Sequence, residues 1–194
     1  MKLFFKNKKQ ILSKILSTVN NEPFIISGGS TIKNIFNNLN IKLNNIILLS
    51  DERLVKINSN LRNDLFYKKL ISKGLIKKKK FIHYKWPTLN KTQLSSFNKK
   101  INEIKFNYAI LGLGSNGHIA SIFNASKKKT NYHLIENSPK FPKKRLTISL
   151  KKLKMCKRIY LIASFKNKKK EIKSYYKNKL VKEIGFKKIK LLIH

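Results

Sequence analysis

His118 is reached through three glycines, Gly112, Gly114 and Gly117, at the end of the apolar run formed by Tyr108, Ala109, Ile110, Leu111 and Leu113. A near-continuous apolar run of this length suits a parallel strand covered on both faces. The glycines then let the backbone turn tightly and approach a ligand. Ile119, Ala120, Ile122 and Phe123 resume at helical spacing, which predicts a helix with His118 near its first turn. There the positive end of the helix dipole disfavours imidazolium, so the expected species is a neutral imidazole able to act as a general base.

Two further segments carry residues suited to holding an anion. Ser27-Gly28-Gly29-Ser30-Thr31 places two glycines and two hydroxyls after a predicted strand. Its backbone amides could turn toward a phosphate, and Ser30 or Thr31 could cap the next helix; an ordinary capped turn explains the same residues. Asp51-Glu52-Arg53 follows a second predicted strand, in a chain with 45 Lys plus Arg and only 8 Asp plus Glu. An arginine offers planar, bidentate contact to a phosphate or carboxylate, whereas a structural salt bridge is the plainer account. Gly112, Gly114 and Gly117 also fit the dinucleotide pattern GxGxxG, with Glu136 about 20 residues on. That reading fits poorly, because such a turn usually follows the first strand and carries an apolar residue where His118 stands.

These residues need a frame. Strands are predicted at 23–27, 45–50, 81–84, 107–111, 146–150, 159–163 and 189–193. Helices are predicted at 31–39, 60–71, 91–104 and roughly 167–182, with an amphipathic first helix using Ile11, Ile15, Leu16 and Val19. Residues 124–137 read as a mobile loop. The alternation predicts an α/β fold of three layers, a mostly parallel sheet with helices on both faces (Rossmann-like), whose ligands gather beyond the carboxyl ends of the strands. At 194 residues, with 41% apolar content, the expectation is a single domain over 1–194.

The net charge of +37 would ordinarily suggest a nucleic-acid partner. Lysines are instead spread over almost every segment, with short blocks only at 77–80 and 127–129, so no specific nucleic-acid role is expected. Cys156 is the sole cysteine, which excludes an intrachain disulfide and a CxxC metal site and fits a reducing cytoplasm. No stretch nears the roughly 20 apolar residues of a membrane span.

Taken in order, SGGST (27–31), LLSDERLV (48–55), SNLRND (59–64), YAILGLGSNGHIASIF (108–123), SPKFPKKRLTISL (138–150) and YLIASFKNKKKEI (160–172) resemble the 6-phosphogluconolactonases. The related glucosamine-6-phosphate deaminases share the fold and the glycine-histidine turn. Arg53 after Asp51-Glu52, where the deaminase has Tyr, and Ser121-Ile122-Phe123 favour the lactonase. The resemblance implies hydrolysis of 6-phosphoglucono-δ-lactone in the oxidative pentose phosphate pathway, with no metal or cofactor, by a monomer or homodimer. It assigns His118 as the base and Asp51 and Asn116 to orient substrate, water or His118. It assigns Gly28, Gly29, Ser30, Thr31, Arg53, Arg145 and Lys168 to the sugar phosphate. Backbone amides of the 114–118 turn, or a nearby cation, would meet the oxyanion. The chain departs from the family at Asn116, where an aspartate is usual, and at Phe165, where a glycine is common.

Overall fold

The structure, a computed structural model, describes residues 2–124 and 130–194. Strands are numbered in chain order. From one edge to the other, the main sheet contains β1 (Lys2–Phe4), β10 (Ile189–Ile193), β9 (Arg158–Ala163), β6 (Tyr108–Gly112), β2 (Phe24–Ile26), β3 (Ile47–Leu49) and β5 (Phe81–Ile82). Every neighbouring pair runs parallel. Helices α1 (Lys8–Val19), α2 (Ser30–Phe36) and α3 (Asp64–Ser72) contribute to one core, and α4 (Lys91–Asn102), α5 (Leu150–Lys154), α6 (Phe165–Lys173) and α7 (Lys179–Ile184) to the other.

The side-chain period of two divides each strand between those cores. In β2, Phe24 and Ile26 pack with Ile15, Ile35 and Tyr67, whereas Ile25 joins Ile101, Leu153 and Val181 on the opposite face. In β9, Tyr160 and Ile162 face the first core and Ile159, Leu161 and Ala163 the second. Both faces being covered, these strands need no polar residue, which is why they read as unbroken apolar runs. No helix among the described residues is long and apolar enough to cross a membrane.

Several sequence expectations need correction. Residues 146–150 were expected in the parallel sheet, but β8 (Arg145–Ile148) lies in a separate antiparallel sheet between β4 (Asp51–Arg53) and β7 (Tyr132–Ile135). Ser50 is the junction: its N–H donates to Ile26 O at 2.7 Å in the main sheet, while its carbonyl accepts from Ile148 N–H at 2.8 Å in the small one. The expected loop at 124–137 therefore contains β7, while 125–129, with the lysine block at 127–129, lies outside the described residues. The amino-terminal β1 was not foreseen at all.

The helix expected after the glycine turn is absent. Ile119 and Ile122 instead exchange both backbone hydrogen bonds across a tight turn, with Ala120 at φ 54°. Such a turn brings residues i and i+3 together as a helix does, which explains the misleading spacing. The lysine-rich helix expected at 167–182 is also divided. α6 ends at Lys173, Tyr175–Lys177 forms a 3-10 turn, and the Asn178 side chain caps α7 by accepting from Val181 N–H at 3.1 Å.

Candidate active site

The chain leaves β2 toward β3 on one side, whereas β6 lies on the other side of β2. This reversal opens a crevice between the ends of β2 and β6, where open α/β sheets characteristically hold ligands. Ser27 and Gly112 form its floor, pinned together by Gly112 N–H donating to Ser27 Oγ at 3.1 Å. Above them is a cavity of about 350 Å³, within the range for small-molecule sites.

His118 forms part of the wall at the exit of a short 3-10 turn, Ser115–Gly117. That turn needs left-handed backbone at Asn116 (φ 64°) and Gly117 (φ 74°), which asparagine and glycine supply at least cost. His118 Nδ1 lies 2.7 Å from Ser115 O. A carbonyl only accepts, so Nδ1 carries the proton and Nε2 is the basic nitrogen of the neutral ring. The ring lies against Phe123, with centroids 4.7 Å apart. Burial holds its pKa below the usual 6.5. Lys140 and Arg145 push the same way, while the Ser115 carbonyl and Asp51 oppose them. The neutral imidazole foreseen from the sequence thus has a different cause: no helix starts there to supply a dipole.

The anion-holding candidates converge on this cavity, with one exception. Gly29, Ser30, Thr31, Arg53, Arg145 and Lys168 all line it. Gly28 does not; its missing Cβ instead leaves room for Asn63, whose Cβ and Cγ would lie 2.3 Å from a methyl placed there. Ser30 and Thr31 were expected to cap α2, but Gly29 is the N-cap and no side chain completes it. Both residues already sit in the first turn, where their hydroxyls cannot serve that role.

The arginines are held rigidly by backbone oxygens. Arg53 Nη1 donates to Leu61 O at 2.5 Å, and its Nε is buried without a protein partner. Arg145 reaches the carbonyls of Pro142 (2.9 Å), Lys140 (3.2 Å) and Phe141 (3.0 Å). Lys168 takes non-helical angles inside α6. Lys140 joins these cations and donates to Ser115 Oγ, giving four positive side chains against one lining carboxylate, Asp51.

Asp51 lines the cavity, whereas Asn116 does not. Asp51 is buried and accepts from Ser50 Oγ (2.8 Å), Ser121 Oγ (2.8 Å) and Asn63 Nδ2 (3.3 Å), and no hydrogen bond joins it to His118. These bonds tie it to the 119–122 turn and to Asn63. Asn116 lines a neighbouring groove rather than this cavity, because its left-handed backbone sends it to the far side of the turn. The orienting group for the imidazole is the Ser115 carbonyl.

Asn63 and Lys140 were missed as lining residues, and Ser115 was foreseen only through the backbone amides of its turn. Asn63 lay in the SNLRND stretch without an assigned role. Its amide nitrogen also donates to Asp51 O at 2.9 Å, which leaves Oδ1 buried and unpartnered by protein. Behind it, Glu52 accepts from the N–H groups of Arg53 (2.7 Å), Asn63 (2.7 Å) and Asp64 (3.0 Å), so the acid next to Asp51 builds the wall from outside. Among the described residues, no three His, Cys, Asp or Glu side chains gather as metal ligands would.

The family model described as glucosamine-6-phosphate isomerases/6-phosphogluconolactonase matches residues 6–189. A 6-phosphogluconolactonase of Borreliella burgdorferi is 32% identical over 155 residues, a match covering 71% of this chain and 65% of that protein. The crystal structure of 6-phosphogluconolactonase from Thermotoga maritima is similar with a TM-score of 0.82 at 21% identity, covering 100% of this chain and 98% of that one. The corresponding structure from Leishmania guyanensis gives 0.80 at 19% identity, covering 100% and 95%. At those identities the structural likeness shows the shared three-layer α/β fold.

Proposed function

The chain belongs to the glucosamine-6-phosphate isomerase/6-phosphogluconolactonase family, and from that premise we propose that it hydrolyses 6-phospho-D-glucono-1,5-lactone to 6-phospho-D-gluconate. The observation that carries the reading is the Nδ1 tether: with Nδ1–H committed to Ser115 O, the basic Nε2 belongs to a ring lining a cavity with four cations. A neutral base beside a cationic grip suits a phosphorylated ester.

In this reading Arg53, Lys168, Arg145 and Lys140 neutralise the phosphate together with Gly29, Ser30 and Thr31. His118 Nε2 takes a proton from water as the water oxygen attacks the lactone carbonyl carbon. Asn116 N–H is engaged by Glu171 on α6 and Gly117 N–H by Gly114 O, so the developing oxyanion falls to the N–H groups of Ser115 and His118. Collapse of the tetrahedral intermediate breaks the ring carbon–oxygen bond, and the imidazolium returns its proton to the departing ring oxygen. General-base catalysis typically supplies about 10²- to 10⁴-fold in rate.

The reading places the enzyme in the oxidative pentose phosphate pathway in the cytoplasm. It acts as one domain over 1–194, as a monomer or homodimer, and needs only its sugar phosphate. The test is acid release from freshly made lactone. The parent should accelerate it, and His118→Ala should lose about 10²-fold or more while keeping its circular dichroism. Equal rates for the two proteins would reject His118 as the base. Ammonia release from glucosamine 6-phosphate would point instead to the deaminase branch of the family.

A further inference from the structure

The turn that presents His118 is gripped from outside the cavity at two points. Glu171 Oε1, on α6, accepts from Asn116 N–H at 3.0 Å. Asn178 Nδ2, at the start of α7, donates to Gly117 O at 2.8 Å. Both side chains line the neighbouring groove, on the side of the turn away from the imidazole. The fit at Gly117 is close, since a Cβ there would lie 2.3 Å from Asn178 Nδ2.

The Ser115–Asn116 peptide connects the two sides. Its carbonyl accepts from His118 Nδ1 at 2.7 Å, and its N–H is the one held by Glu171. A trans peptide is planar with its C=O and N–H pointing in opposite directions. Holding the N–H outward therefore aims the carbonyl inward, at the ring. A carboxylate on the N–H side also polarises the peptide and strengthens the carbonyl as an acceptor.

We infer that Glu171 is a positioning residue for the base, acting on His118 through one intervening peptide unit, with Asn178 fixing the Gly117–His118 peptide of the same turn. This rests on the lactonase reading of the site. The carboxylate, peptide and imidazole form a continuous hydrogen-bonded line, so the ring has a carboxylate in its service although none touches it. Glu171 lines the neighbouring groove and not the cavity, and although its charge also acts on Lys140 and Lys168, its hydrogen bond reaches the base only through the turn.

Two substitutions separate the hydrogen bond from the charge. Glu171→Ala removes the acceptor and is expected to lower kcat roughly tenfold or more through lost alignment of the base, whereas a change in KM reports the loss of its charge near Lys140 and Lys168 and is shared by Glu171→Gln. Glu171→Gln keeps an acceptor at the same reach and should restore most of kcat. Imidazole ¹⁵N shifts give a readout that needs no turnover: the parent should show the Nδ1–H tautomer of His118, and the alanine variant a larger share of Nε2–H. Unchanged kcat and an unchanged tautomer in Glu171→Ala would overturn the inference, as would a glutamine variant no better than alanine. A parent that hydrolyses no lactone would sink the functional reading, while the tautomer comparison would still decide the role of Glu171.

Discussion

Gly114 and the His118 imidazole occupy adjoining space: a Cβ on Gly114 would lie 2.1 Å from Cε1 of the ring and 2.3 Å from Nε2. The glycine has φ −76° and ψ 160°, angles open to any residue. It is therefore demanded by the ring and not by the backbone.

Gly114→Ala should displace the imidazole without straining the chain. Lactone hydrolysis should fall by about 10²-fold, with little change in thermal stability. The check is kcat measured beside a melting curve; a variant as active as the parent would show that the ring works from another position.

Removing a cation next to the imidazole should move the acid limb of the pH profile. Burial is the main cause of the low His118 pKa, and Lys140 adds to it. A base works only when unprotonated, so the parent should hold its kcat/KM down to below pH 6.5 before declining. In Lys140→Met that decline should begin at higher pH, and KM should rise through loss of a phosphate contact. A limb that stays put would show that Lys140 does not act on the ring.

Arg62 is fully buried, 3.0 Å from Asp64 Oδ1 and 3.7 Å from Glu52 Oε2. Arg62→Met leaves both carboxylates without it in the interior. Breaking a buried pair in this way typically costs about 3–5 kcal/mol, which urea unfolding would read directly. A loss under about 1 kcal/mol would mean that Lys68, 2.9 Å from Asp64, compensates.

Burial pushes His83 down to about 4, against the attraction of Asp64, whose Oδ2 is 3.3 Å away. The unfolded chain then binds a proton near 6.5 that the folded chain refuses. The contribution of neutral His83 is complete above about pH 6.5 and is lost as pH falls from there toward 4, amounting to roughly 2–3 kcal/mol. Glu52, raised to about 7 by burial, has the opposite sign in an overlapping window. The stability difference between parent and His83→Gln, followed from pH 7 to 4, therefore carries the test. A difference independent of pH would refute it.

The parts of this fold that sequence reveals are those where one local rule decides. The strand segments 24–26, 47–49, 109–111 and 159–163 are buried on both faces and have to be apolar throughout. The small sheet had no such signature. Asp51–Arg53 is a strand made wholly of charged residues, and its pairing with Arg145–Thr147 is a tertiary fact. The expected gathering at the strand tips holds for Gly29, the first turn of α2, Arg53 and His118, which line one cavity, but not for Gly28. Lys140 and Asn63 arrive from irregular segments whose paths depend on contacts far away in sequence. The purpose of Gly28 could not be seen before the position of Asn63 was known.

In a chain with 45 Lys plus Arg and only 8 Asp plus Glu, most of the acids have structural work. Asp51 ties two hydroxyls and an amide together, Glu52 receives three backbone amides, Asp64 neutralises Arg62, Glu22 takes the amide of Asn107, and Glu171 holds the turn beneath the base. Five of the eight acids hold a backbone or side-chain group in place. Scanning the carboxylates one at a time would thus map the architecture of this protein more economically than scanning its far more numerous cations.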